Sequence, residues 1–364
     1  MGIIDATEGY ESWLRQQIAV NETDLKAKHR AMASATFPFL RATFYRWAER
    51  LPELYPQIFE APAVCAVGDL HVENFGTWRD AEGRLVWGIN DFDEAHTLPY
   101  TSDLIRLATS IELARAENSL SISLETACKA LLEGYRKALE TGGRPFVLEE
   151  KHDWLRDTAT GDLRHPVAFW AKLEKGGEVT PESLPENALA VLKKAVPERA
   201  TLNRIRQRQA GLGSLGRPRF VGIAGWEGGN IAREVKASVP SAVCWARGAN
   251  AETPTGMETL LKTAVRCPDP FAHLEQGWIV RRLAPHCTRI ELAEVPKERD
   301  EERLFHAMGY ETGNVHLASE FSVLDVLRHL EKWDVADLRE QASVMVAAVR
   351  RDHREWREAQ RMFS

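Results

Sequence analysis

At 364 residues the chain is long enough to bury a large core and to divide into more than one structural unit. Its 44% hydrophobic and 27% charged residues are ordinary for a globular protein and exclude a disordered or fibrous chain. A net charge of −6 supplies no general attraction for nucleic acid or an anionic membrane, so neither is expected as a partner, although a local basic patch is compatible with it.

The five cysteines, Cys65, Cys128, Cys244, Cys267 and Cys287, are scattered and form no CxxC. That spacing points to reduced thiols in a cytoplasmic protein and away from a zinc site. The start, Met1–Thr7, lacks the basic and then apolar regions of a signal peptide, and Ala6 stands where myristoylation needs Ser or Thr. No apolar run approaches the about 20 residues of a membrane-spanning helix.

Residues 8–60 read as helices, with Tyr10, Trp13, Leu14 and Ile18 at helical spacing and an interruption expected at Phe37-Pro38-Phe39. The next stretch, Val67–Ala95, places two acidic clusters on either side of a hairpin. The first is Gly68-Asp69-Leu70-His71, with Asn74 five residues after Asp69; the second is Asn90-Asp91-Phe92-Asp93-Glu94. Asp80–Gly83 supplies a turn, and Arg84–Ile89 has the β-branched and aromatic bias of a buried strand. Carboxylates on two strand-linked loops suit Mg²⁺, which takes one or two of them with an amide oxygen and phosphate oxygens. The plain alternative is a pair of acidic surface turns.

Asp103–Ala114 follows as a helix whose buried stripe is Leu104, Leu107, Ala108 and Ile111, with Ser102 or Asp103 as its cap. Helices are expected at 122–140 and 147–158, an irregular connector at 163–180 and a helix at 181–194. Gly211, Gly213 and Gly216 form a GxGxxG, with Ser214 inside it. A dinucleotide-binding turn would follow a strand and open a helix. Here the motif follows the polar, helix-like Thr201–Gln209 and precedes the strand Pro218–Ala224. A second strand, Ile231–Ala237, carries Lys236, twenty residues after Gly216. A helix at 255–264 carries Glu258, and Gly277–Leu283 reads as a further strand. Helices at about 297–316, 320–333 and 335–363 complete the chain.

The central stretch resembles the protein-kinase-like superfamily, and most closely its aminoglycoside-phosphotransferase-type branch, whose catalytic loop reads HGDxHxxN and whose metal motif reads IDFxxA. The resemblance implies that Asp69 is the catalytic-loop base, His71 a phosphate-side group, Asn74 a metal ligand and Asp91 the main metal ligand. Asp103 matches the helix Asp that accepts backbone N–H bonds from the catalytic loop. Val67 stands where the motif places His, and Asp93 where DFG places Gly. The fuller pattern, GDxHxxNFG, NDFDE and then DLxRLAxS, is similar to an uncharacterised bacterial domain-of-unknown-function family, which also tends to carry an Arg where Arg41 lies. A phosphate contact for Arg41 stands against a surface or capping role.

By the same resemblance, Gly211, Gly213, Ser214 and Gly216 correspond to the glycine-rich hairpin over the nucleotide phosphates, with Pro218 in place of the usual Val. Lys236 corresponds to the phosphate-pairing Lys, a compact point charge. Glu258 is the candidate to orient it, with Glu234 and Glu252 nearby and a solvated helix face as the default for any of them. Arg281 and Arg282 would border the phosphates or stand solvated on an edge strand. His316 near a helix end would pack under the catalytic loop, as a satisfied core or surface histidine and not a catalytic one. In kinases the glycine loop and Lys precede the catalytic loop; here they follow it, so the resemblance implies a circular permutation.

The fold expected is α+β and kinase-like: a helical lobe at 1–200, a small antiparallel β lobe at 201–295 and returning helices at 296–364. Its function would be ATP- and Mg²⁺-dependent phosphoryl transfer to a small-molecule hydroxyl. AMP transfer would need the same metal and carboxylates. A nucleotide-binding scaffold without turnover is a second class, although Asp69, Asn74, Asp91 and Lys236 are all present. A metal-dependent hydrolase using Asp69, His71 and Asp91 is a third, with His96 the other histidine close in sequence.

Overall fold

The computed structural model describes residues 1–117, 119–149, 151–159, 165–248, 256–285, 287, 300–319 and 322–362. Glu252 and the start of the helix expected at 297 lie outside them. Four helices open the chain: α1 Ile3–Gln17, α2 Glu22–Ser34, α3 Thr36–Ala42 and α4 Phe44–Leu54. The Asn21 side chain caps α2 by accepting from the Thr23 and Asp24 amides. The breaks fall at Ala35 and Thr43 instead of at Phe37-Pro38-Phe39. Pro38 is in the first turn of α3, where its missing N–H removes no helical bond.

Next come β1 Ala63–Ala66, β2 Phe75–Arg79, β3 Leu85–Ile89 and β4 His96–Pro99. β1 pairs antiparallel with β4, so the loops carrying Asp69 and Asp91 leave adjacent ends of two linked hairpins. β2 and β3 pair through the expected turn, in which Asp80 Oδ1 accepts from the Glu82 and Arg84 amides. Helices α5 Thr101–Ala116 and α6 Leu124–Thr141 follow, then β5 Phe146–Val147, α7 Asp153–Ala159, α8 Pro166–Glu174, β6 Gly177–Val179 and α9 Glu186–Lys194. Part of the stretch expected as a helix at 147–158 is therefore a strand against β3, and the expected connector contains a helix and a strand.

β7 Thr201–Gln207, β8 Arg219–Trp226 and β9 Gly229–Ala237 form a meander. The stretch read as helix-like at Thr201–Gln209 is thus mostly a strand. Along it Arg204 and Arg206 pair with Glu174, while Ile205 between them is buried. α10 Ala242–Ala246, α11 Gly256–Thr263, β10 His273–Glu275 and β11 Trp278–Leu283 lead to α12 Glu301–His316, α13 Val323–His329 and α14 Val335–Met362. The six-stranded antiparallel sheet has the order β10-β11-β9-β8-β7-β6.

Period-two alternation gives this sheet two faces. Phe220, Val235, Ala237 and Val280 pack with α9, while Val221, Ile223 and Ala232 pack with Leu173 of α8. The second face continues through cross-strand partners Arg219, Lys236 and Ile279, and through Glu234 and Arg281. One end of that face is apolar and covered by α8; the other is charged and turns toward the Asp91 loop. The main core is helical and includes the β1–β4 strands. Within it α6 and α12 touch backbone to backbone: a Cβ on Gly134 would stand 1.9 Å from the His306 carbonyl oxygen, and one on Gly309 2.0 Å from that of Leu131. The protein is a mixed α+β fold with antiparallel sheets. No helix among the described residues is long and apolar enough to cross a membrane.

Candidate functional site

The loop after β1 is built on α5. Asp103 accepts from the Val67 amide at 2.7 Å and the Gly68 amide at 2.9 Å. This is the part that the kinase resemblance implies for it, and it lies inside α5 and not at its cap. His316 donates from Nε2 to Asp103 Oδ2 at 3.0 Å, and its Nδ1 accepts from the Tyr135 hydroxyl at 2.9 Å. His316 is therefore a core group beneath the loop. Gly68 has φ +81°, and a side chain there would meet the Glu94 carbonyl oxygen at 2.3 Å, so the two acidic loops are in backbone contact.

One turn along α5, Arg106 donates to Asp69 Oδ1 from Nε at 2.8 Å and also from Nη2. It is fully buried between the rings of Phe44 and Trp47, and Nη2 also reaches the Leu40 carbonyl. Burial pushes the Asp69 carboxyl up to about 6, against the opposing pull of Arg106. Asn74 ties the loops together, donating from Nδ2 to the carbonyls of Asp69 at 3.0 Å and Asp91 at 3.2 Å. Its Oδ1 is buried with no hydrogen-bond partner among the described residues, as is Oδ1 of Asp93. His71 is buried, and its Nδ1 accepts from the Glu73 amide at 3.2 Å.

The charged face of the sheet meets the second loop. Lys236 Nζ stands 3.7 Å from Asp91 Oδ1 and pairs with Asp93; Arg281 stands 3.6 Å from Asp91. Burial pulls the Lys236 ammonium below its usual range despite these carboxylates. Arg217 bridges to Asp93 at 3.3 Å and Glu94 at 2.6 Å. The other Glu94 oxygen accepts from the Ala242 amide.

The glycine loop joins β7 to β8. A Cβ on Gly213 would lie 3.0 Å from the Arg41 carbonyl oxygen and 3.4 Å from Asp69 Oδ2, so the loop packs closely over both. Ser214 accepts from Arg219 at 2.7 Å, and Arg219 donates to Glu234, which also pairs with Arg208. Burial pushes the Glu234 carboxyl up, but the two arginines outweigh it and hold it well below the usual carboxylate range. The loop is thus fastened to β9 two residues before Lys236.

Asp69, His71, Asn74, Asp91, Gly211, Gly213 and Ser214 line one cleft of about 560 Å³, part of it open to solvent. Lys236 lies behind its acidic wall. Gly216 does not line the cleft: its φ is +98°, it packs on Val20 and Leu25, and its carbonyl accepts from the Asn21 amide ahead of α2. Glu258, on α11, has no ion pair with Lys236 among the described residues; Asp93 and Asp91 take that place. Arg41 lines the cleft and pairs with Glu73, whereas Arg282 donates to the Arg79 carbonyl, away from it.

Among the described residues no three His, Cys, Asp or Glu side chains form a metal-ligating group. The donors present are two carboxylates and the unpartnered amide oxygen of Asn74. They fit a hard cation that completes its shell with phosphate and water oxygens, and do not fit a closed protein cage. Sequence reasoning left Arg106, Arg217 and Lys28 without roles. Arg106 carried a signal, since Asp103 and Arg106 at i and i+3 share one helix face.

Residues 21–160 match a family model described as an uncharacterized protein conserved in bacteria (DUF2252). The matched stretch holds both acidic loops and α5, and the glycine loop and Lys236 lie beyond it. No curated protein and no solved structure matches the chain.

Proposed function

We propose that the protein is an ATP- and Mg²⁺-dependent phosphotransferase with a circularly permuted kinase-like arrangement, acting on a small-molecule hydroxyl. The observation that carries this reading is the approach of Lys236 to Asp91 across 3.7 Å from a distant part of the sequence, with the glycine loop over Asp69. Asp91 and the free amide oxygen of Asn74 would hold Mg²⁺. The bound ion would neutralise and orient phosphate oxygens. Lys236 and the loop's backbone N–H groups add positive charge and position the nucleotide. Asp69, with its carboxyl near 6, is ionised at neutral pH and basic enough to take the acceptor's hydroxyl proton, while Arg106 fixes its orientation. Phosphoryl transfer asks for little else beyond placement and charge.

One feature favours a second reading, a nucleotide-binding scaffold without turnover. Lys236 is already held by Asp93, so phosphates must displace that carboxylate before the ammonium can serve them. Thermal-shift titration with ATP, with and without Mg²⁺, tests both readings alongside an assay of ATP consumption. Saturation at about 100 times Kd should add about 2.7 kcal/mol, and Asp91→Ala and Lys236→Ala should each abolish the Mg²⁺-dependent part. Binding without turnover over a panel of hydroxyl acceptors selects the scaffold. No shift with any nucleotide defeats both.

A further inference from the structure

Among the described residues, the cleft contains a cation that its carboxylates leave over. Lys28 of α2 is 3% exposed and lines the cleft. Its single hydrogen bond among the described residues goes to the Gly213 carbonyl at 3.1 Å. The rings of Tyr10 and Tyr45 stand 5.8 and 5.7 Å away and satisfy part of its charge. The acidic groups nearby are engaged elsewhere: Asp69 with Arg106, Asp93 with Lys236 and Arg217, Glu94 with Arg217. No ion pair within 4.0 Å involves Lys28 among the described residues. An ammonium offers three donors, and burying one without a counter-ion is unfavourable. Burial accordingly pulls it down to about 8, against the attraction of Glu11.

Arg41 supplies a second observation. It lines the same cleft, pairs through Nη1 with Glu73, and leaves Nε buried with no hydrogen-bond partner among the described residues. Its own carbonyl lies against Gly213.

We infer that Lys28 and Arg41 form a binding site for a phosphate-type oxyanion beside Asp69 and Gly213. The inference stands on unpaired donors and holds whether or not a nucleotide binds. Within the phosphotransferase reading, the anion is the terminal phosphate of ATP or a phosphate carried by the acceptor.

The test is a thermal-shift titration with inorganic phosphate against chloride at matched ionic strength, on wild type, Lys28→Met and Arg41→Met. Wild type should rise in Tm with phosphate. Lys28→Met should be the more stable protein in chloride, because an apolar side chain replaces a buried unpaired charge, and its apparent phosphate affinity should fall at least about tenfold, a loss of about 1.4 kcal/mol. A wild type that phosphate does not stabilise, or a Lys28→Met variant with unchanged affinity, overturns the inference and leaves Lys28 as a strut for Gly213. Should Lys28→Met not fold, Arg41→Met carries the same comparison. Repeating the titration with Mg²⁺-ATP assigns the source: competition points to the nucleotide's own phosphate, additive binding to the acceptor's. A protein that binds phosphate but no nucleotide keeps this inference and defeats the phosphotransferase reading.

Discussion

Asp69 draws its chemistry from opposing influences, the burial that raises its pKa and the guanidinium that lowers it. If it is the base, the rate should rise with pH through about 6 and level off above it, as the ionised form accumulates. Asp69→Asn should lower kcat by about two orders of magnitude or more. Arg106→Met removes the lowering influence, so the rising limb should move to higher pH. The same change strips a partly buried carboxylate of its partner and should cost about 3 kcal/mol in urea unfolding. A limb that stays at the same pH in Arg106→Met would take Asp69 out of the role of base. Asp69 was legible from its place in GDxHxxN, but its elevated pKa was not, because that depends on which helix covers it.

At the scale of elements, α12 carries the weight of the site from beneath, through His316 under the Asp69 loop and Glu311 at β3. Glu311 accepts from the Ile89 amide at 3.2 Å and from Asn314 Nδ2 at 2.9 Å. Burial pushes its carboxyl up to about 7, with Arg266 opposing. A carboxyl raised on folding stabilises most below its unfolded value and loses that contribution as pH rises through the folded one. The wild type should therefore lose up to about 3 kcal/mol between pH 4.5 and 7 from this group, and Glu311→Gln should flatten Tm against pH across that window. An identical slope in the variant would remove Glu311 as the cause. The seating of α12 on α6 is equally specific. Gly309→Ala should cost about 1–3 kcal/mol, read as a lower urea midpoint, because the new methyl meets the Leu131 carbonyl. The helices themselves were legible as periodic apolar stripes. The glycine contact was not, since a glycine spaced for helix packing looks in sequence like one spaced for flexibility.

For the whole molecule, the acidic loops belong to the helical core and Lys236 to the six-stranded sheet, joined by Lys236, Arg281 and Arg217 on Asp91, Asp93 and Glu94. A ligand engaging both sides must stabilise both. Saturating Mg²⁺-ATP should slow amide hydrogen exchange together in β9 and in the β1–β4 hairpins, and Lys236→Ala should remove the protection from both. Protection confined to one of them would argue against a shared nucleotide site.

Local patterns in the sequence determined the helices of the N- and C-terminal regions, the β2–β3 hairpin with its Asp80 turn, the α+β character and the two acidic loops. Capping, turn chemistry and side-chain period act over a few residues, so a single chain displays them. β7 escaped because it is populated by arginines whose partners, such as Glu174, come from another element. Tertiary structure alone decided that Lys236 pairs with Asp93 and not Glu258, that Gly216 serves a turn ahead of α2 while Gly213 meets Asp69, and that Arg106, Arg217 and Lys28 enter the site. Each of those outcomes depends on which surfaces pack across long stretches of chain, and an ion pair's energy is set by the burial and the neighbours that such packing creates.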